Sequence, residues 1–190
     1  DYEAENLYAG EPTPALKSLD KTGRVIYIGS LSKSLSPALR LGYIVAPKEL
    51  VSELRVLRHA MVRHPSAFLQ HAYALFLSLG HHDSHARRVN QVLRQRMDAA
   101  MQALADHIPE FECTPAQGGA SLWVKTPDWL DGGELAVRAR EHGVLIEPGD
   151  VFFAQPPRPC PYFRLRLSSI DVGQIEAGVR ALREAVRGMG

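Results

Sequence analysis

The chain predicts an α/β fold, a three-layer α/β body followed by a smaller α+β lobe. Three observations carry that prediction. Val25-Ile26-Tyr27-Ile28 is apolar on both faces, the pattern of a strand in a sheet covered on both sides. Residues 84–107 repeat apolar side chains at helical spacing. Beyond them, short strand-like runs alternate with helical stretches.

Residues 1–23 read as a connection punctuated by Gly10, Pro12, Pro14 and Gly23, with Asp1-Tyr2 as the end of a strand. A strand is expected at 24–29 and a second at 41–45. Pro47 opens a helix with Leu50, Leu54, Leu57 and Met61 on one stripe. Pro65-Ser66 restarts the chain as another helix, with Phe68, Leu69, Ala72, Leu75, Phe76 and Leu79 turned inward and Gly80 as its stop. The helix at 84–107 carries Val89, Val92, Leu93, Met97, Ala100, Met101 and Leu104. Strands follow at 112–114 and 120–125, a helix at 133–142, and strands at 144–147 and 162–167. The last helix presents Ile175, Val179, Leu182 and Val186 on one side, capped by Ser169 or Asp171. Trp123 and Phe152-Phe153 read as core, and Gly118-Gly119 and Pro148-Gly149 as turns where backbone approaches a ligand.

At 190 residues, 45% hydrophobic and 23% charged, the chain can bury a core of ordinary globular composition. A formal net charge of +1 gives no electrostatic case for nucleic-acid binding by this segment. Cys113 and Cys160 fit neither a redox pair nor a metal quartet, and two reduced thiols suit a cytosolic protein. No apolar run approaches the roughly 20 residues of a membrane span. No signal peptide is read, and a cytoplasmic protein is expected. His81, His82, Asp83 and His85 cluster near a helix start, but without a third fixed ligand no metal site is expected. Arg87, Arg88, Arg94 and Arg96 read as the solvated face of the long helix.

The chemistry concentrates in Ser30-Leu31-Ser32-Lys33-Ser34-Leu35-Ser36-Pro37-Ala38-Leu39-Arg40-Leu41-Gly42. A lysine that condenses with an aldehyde cofactor must be neutral part of the time, so its pKa must fall well below roughly 10.4. Desolvation and a neighbouring cation such as Arg40 both push that way. Ser30 and Ser32 share one side of an extended stretch and can donate to phosphate oxygens. Arg40 offers the same phosphate a planar fork. Spacing alone also fits a serine-rich turn bearing one solvated lysine.

The pattern Ser-x-Ser-Lys-x-x-x-Pro-x-x-Arg-x-Gly resembles the cofactor-lysine segment of fold-type I pyridoxal-phosphate enzymes of the class I/II aminotransferase family. Asn6-Leu7-Tyr8, Pro14-Ala15-Leu16 and Gly23-Arg24-Val25-Ile26-Tyr27 narrow the likeness to the aminotransferase-like domain of MocR-type regulators of the GntR family and their enzyme relatives. It continues through Gly80-His81, Arg87-Arg88, Gly118-Gly119, Leu122-Trp123, Gly143-Val144, Pro148-Gly149 and Arg164-Leu165, in order along the chain.

The resemblance implies pyridoxal 5'-phosphate as cofactor, held by Lys33 as an internal imine and by Tyr2, Ser30, Ser32 and Arg40. Tyr2 would donate its hydroxyl to the cofactor's ring oxygen. Arg164 is implied as the partner of the substrate's α-carboxylate, a task that suits a bidentate guanidinium. Strand alternation puts Arg166 on the same face, so it is the alternative, beside a plain pair of surface arginines. The resemblance further implies that 1–83 is the C-terminal part of a large cofactor-binding domain. The bridging helix and small domain would then occupy 84–190. The chain is thus expected to be a C-terminal portion, with the partner of the pyridine nitrogen upstream of Asp1.

Two functions follow from the likeness. The first is transamination of an amino acid to a keto acid, with Lys33 moving the proton, in a homodimer whose small-molecule partners are an amino acid or amine and a keto acid. The second is effector sensing in a transcription regulator that meets DNA through a domain N-terminal to this chain.

Overall fold

The computed structural model describes residues 6–11, 13–32, 35–114 and 116–189. The chain divides into two compact units, one up to Asn90 and one from Gln91, and the division falls inside its longest helix.

In the first unit a one-turn helix, α1 (Leu16–Leu19), precedes an antiparallel ribbon of β1 (Tyr27–Ser30) and β2 (Gly42–Val45). The ribbon starts later than the apolar run at 24–29 suggests, and Asp20 is the reason. Its side chain, 2% exposed, accepts the backbone N–H groups of Thr22, Arg24 and Val25 at 3.0, 3.3 and 2.9 Å and the Lys17 ammonium at 3.2 Å. Amides held by a carboxylate are not available to a strand partner. The Val25 N–H, first among these donors, holds the Asp20 carboxyl well below the usual carboxylate range. Within the ribbon, a Cβ at Gly29 would lie 2.4 Å from the Tyr43 ring opposite it, so only glycine fits beneath that ring.

Two helices follow, α2 (Lys48–Val62) and α3 (Ala67–Ser78). Ser66 caps α3 by accepting the Leu69 N–H at 3.4 Å. Gly80, at φ +73°, takes the left-handed turn that stops α3, as expected of it. The α3 stripe expected to face inward is largely open among the described residues, as is part of the α2 stripe. Met61 is 81% and Phe68 79% exposed, and Ile28 of β1 is 61% exposed. The described residues of this unit lay no further layer over them. A groove of about 740 Å³ runs between β2, α2 and α3, lined by Leu41, Ile44, Leu54, Met61 and Tyr73.

The long helix α4 (His81–His107) begins directly after Gly80, three residues before the sequence pattern starts. Its first turn is held by aromatic contact rather than by polar solvation. The imidazoles of His81, His82 and His85 pack 5.8, 6.4 and 6.2 Å from the Phe76 ring. Further along, Leu93, Met97, Ala100, Ala103 and Leu104 are buried.

The second unit is built on a four-stranded antiparallel sheet in the order β3-β4-β6-β5. Its strands are β3 (Glu112–Cys113), β4 (Ser121–Lys125), β5 (Glu147–Pro148) and β6 (Tyr162–Arg166). Helices α5 (Gly132–Glu141) and α6 (Val172–Arg187) complete it. Leu122 and Val124 of β4, Phe163 of β6, Leu135 of α5 and Leu182 of α6 are at most 1% exposed. Burial of side chains of this size stabilises by roughly 2 kcal/mol each before conformational entropy is counted.

Polar side chains fix the joints of this unit. Asp131 caps α5 by accepting the Gly133 and Glu134 N–H groups at 2.9 and 3.1 Å, and its other oxygen accepts the Cys160 N–H at 2.8 Å. These bonds, the Cys160 amide first, hold its carboxyl below the ordinary value. Of the two caps considered for α6, Asp171 serves, accepting the Gly173 N–H at 2.8 Å. Arg96, read from the sequence as solvated, instead donates to the Leu167 and Ser168 carbonyls at 3.3 and 2.7 Å and pins α4 to the end of β6.

Candidate functional site

Residues 31–41 join β1 to β2. The pairing of Ser30 with Gly42 closes the base of this loop, and the Leu31 N–H donates to the Leu41 carbonyl at 3.0 Å. Leu31 and Leu41 are each 8% exposed, so two buried leucines anchor the loop at both ends. The Ser32 N–H donates to Ser30 Oγ at 3.3 Å. That bond uses a lone pair of the hydroxyl and leaves its proton free to donate. A 3-10 turn at Pro37–Leu39 is capped by Ser36, whose Oγ accepts the Ala38 N–H at 3.3 Å. Arg40 follows at φ 49°, ψ 35°, in the left-handed region, with its side chain exposed.

Ser30, the last residue of β1, and Ser32 and Arg40 of the loop that follows thus stand on one short segment. Two hydroxyl donors and one guanidinium form a donor set suited to a phosphate. Lys33, Tyr2 and Asp1 lie outside the described residues.

In the second unit the register of the sheet lines up three side chains across it. Arg164 on β6 stands opposite Trp123 on β4 and Glu147 on β5. The Nε and Nη2 groups of Arg164 both donate to Glu147 Oε2, at 2.8 and 2.5 Å. The guanidinium carbon lies 4.7 Å from the centre of the Phe152 ring, a cation–π distance. Trp123 stacks on Tyr162 at 5.6 Å and meets the edge of Phe152 at 5.5 Å. Arg166 is exposed, whereas Arg164 is about one-third exposed.

Trp123 and Phe152-Phe153 are not the core residues the sequence suggests. They are 37%, 46% and 37% exposed and form a half-open aromatic rim. Strand alternation explains Trp123, because Leu122 and Val124 on either side take the core face and leave the tryptophan on the other. Gly149 packs closely against β6. Its N–H donates to the Tyr162 carbonyl at 2.8 Å and a Cβ there would lie 2.6 Å from the same oxygen, so the glycine serves close packing on β6. Glu147 was not legible as a partner of Arg164. Seventeen positions separate them, and only the cross-strand register makes them neighbours. Its one sequence signal was a carboxylate at the end of an apolar strand pattern.

Burial pushes both thiols, Cys113 and Cys160, up from their ordinary range. Among the described residues no group of three or more His, Cys, Asp or Glu side chains could hold a metal ion, and no helix is long and apolar enough to cross a membrane.

The family model for "Aminotransferase class I and II" matches residues 5–182. The chain is 43% identical over 187 residues to the HTH-type transcriptional regulator TauR of Rhodobacter capsulatus, covering 98% of this chain and 39% of that protein. It is 29% identical over 184 residues to aromatic-amino-acid aminotransferase 1 of Thermococcus litoralis, covering 96% of this chain and 44% of that one. Among solved structures it superposes on LysN, an α-aminoadipate aminotransferase of Thermus thermophilus complexed with N-(5'-phosphopyridoxyl)-L-leucine. That match has a TM-score of 0.89 and 30% identity, and it covers all of this chain and 49% of that one. The chain thus spans less than half the length of each relative and shares their α/β architecture over that span. On a match that runs through the serine-arginine loop and the Arg164 strand alike, this chain belongs to the class I and II aminotransferase family.

Proposed function

We propose that this chain is the C-terminal part of a pyridoxal 5'-phosphate-dependent aminotransferase that converts an amino acid to its keto acid. The observation that carries the reading is the connection between β1 and β2, a short closed segment on which Ser30, Ser32 and Arg40 stand and whose sequence also contains Lys33. The donor set fits a phosphate monoester, whose charge of −1.5 to −2 near neutral pH calls for a cation and several hydrogen bonds. The backbone of Arg40 supports a role for its side chain. An L-residue in the left-handed region costs roughly 1 kcal/mol that glycine would avoid, and such strain persists where a side chain is needed.

Each residue then has a task. Ser30 and Ser32 donate hydroxyl protons to phosphate oxygens, and Arg40 supplies the cationic fork. Tyr2 donates its hydroxyl to the oxygen on the cofactor ring. Arg164 receives the ligand's carboxylate, which fixes the orientation of the Cα–H bond. The Lys33 amine would take that Cα proton and deliver it to the former aldehyde carbon of the cofactor, acting as base and then acid. The cofactor, when bound, supplies an electron sink for the charge left at Cα. A homodimer is proposed on family grounds alone, as is a cytoplasmic setting.

A second reading is favoured by the 43% identity to TauR. In it the same residues bind an amino ligand without turnover, and the signal passes to a DNA-binding segment elsewhere in the intact protein. Keto-acid release separates the two. The first reading expects steady production of keto acid over many turnovers from the intact protein supplied with cofactor, an amino acid and an acceptor keto acid. Ligand binding with no release beyond one equivalent would overturn it in favour of sensing.

A further inference from the structure

The guanidinium assigned to the ligand's carboxylate already holds a carboxylate of this chain. We infer that Glu147 is a positioning residue that sets specificity for anionic ligands, by taking one edge of Arg164 and leaving only the other. The inference rests on the reading that Arg164 receives the ligand's anion.

An arginine presents two forks in its plane, one from Nε and Nη2 and one from Nη1 and Nη2. Glu147 Oε2 occupies the first, at 2.8 Å from Nε and 2.5 Å from Nη2. Phe152 lies against the guanidinium with its ring centre 4.7 Å from the central carbon. The edge left for a ligand is the one between Nη1 and the second proton of Nη2. The pair is fixed by the sheet, since Glu147 and Arg164 are register partners on neighbouring strands. Glu147 is therefore not a mobile surface acid that happens to be near.

Two consequences follow. The arginine is held in one rotamer, so its free edge is aimed before a ligand arrives, which lowers the ordering cost of binding. Glu147 also opposes the ligand's anion, because two carboxylates must then share one guanidinium within a few ångströms. With side chains 32% and 39% exposed, solvent screens that repulsion only in part. The site thus discriminates between amines with and without an anion less sharply than an unpaired arginine would.

The test uses the intact protein loaded with pyridoxal 5'-phosphate and two matched pairs of probes, L-phenylalanine against 2-phenylethylamine and L-alanine against ethylamine. Binding is measured by calorimetry, with melting temperature as the fold check. Glu147→Gln keeps an oxygen acceptor for the guanidinium and removes the charge. It should tighten the amino acids about tenfold relative to their matched amines, the scale of one removed like-charge contact. Glu147→Ser, a second variant without the charge, should change the ratio in the same direction even if Glu147→Gln proves unstable. A merely structural role would lower the melting temperature and leave the ratio alone. Arg164→Gln should abolish the preference for amino acids. If it does so while the Glu147 variants leave the preference unchanged or weaken it, the inference about Glu147 is overturned and the anion site stands. If the unaltered protein shows no such preference, or Arg164→Gln retains it, or none of the probes binds, the anion-site reading falls and takes this inference with it.

Discussion

At the scale of single residues, Arg40 offers the cleanest separation of stability from function. Its φ of 49° suits glycine better than arginine. Arg40→Gly should leave thermal stability unchanged or raise it by up to about 1 kcal/mol, while weakening retention of pyridoxal 5'-phosphate at least tenfold. Melting curves paired with cofactor titration check both halves. A variant that melts earlier and holds cofactor normally would mean that the arginine serves the loop alone. Ser30, Ser32 and Arg40 could be picked out from sequence because their residue types suit one chemistry at a fixed spacing. Glu147 could not, because its meaning depends on a strand partner and not on its neighbours in sequence. Asp20 was equally hidden. An aspartate in a turn-rich stretch looks solvated, yet the side chain of this one is almost fully buried beneath five backbone and side-chain donors.

At the scale of elements, the joints depend on caps and on glycines that admit close backbone contact. A Cβ at Gly132 would stand 2.1 Å from the Tyr162 carbonyl, so the first turn of α5 presses on β6. Asp131 holds the same junction from the other side through the Cys160 amide. Asp131→Ala should destabilise the protein by about 2 kcal/mol, the scale of a lost cap with a further buried amide left unpaired. The sign of its pH dependence is set by the lowered carboxyl. A carboxylate held below its ordinary value of 3.8 contributes stability that is full above that value and is lost as pH falls through the folded-state value. The gap between native and variant melting points should therefore be constant near neutrality and close in acid below about pH 4. A gap that persists unchanged into strong acid would contradict the capping account. Helices α4 and α6 were legible because their apolar stripes repeat at 3.6-residue spacing over many turns. Strand ends were less so. Side-chain capture of the Arg24 and Val25 amides shortens β1, and the approach of Gly149 to Tyr162 carries the β5 pairing past Glu147 to Pro148.

At the scale of the whole chain, the α/β class and the family could be read from motif order, since the same residues recur along nearly its full length. The inward-facing assignment of the α3 stripe carried over only in part, with Phe68 and Leu79 open to solvent. Periodicity reports that a face is apolar, not which segment lies against it. The open stripes agree with a chain spanning 39% of one relative and 49% of another.

The account turns on Lys33 bonding covalently to the cofactor. Borohydride reduction of the intact, cofactor-loaded protein, followed by peptide mass spectrometry, tests this most directly. The phosphopyridoxyl mass should appear on the peptide containing Lys33 and vanish, with the visible absorbance, in Lys33→Ala. An adduct on Lys17, Lys21, Lys48 or Lys125 instead, or full absorbance surviving in the variant, would contradict it.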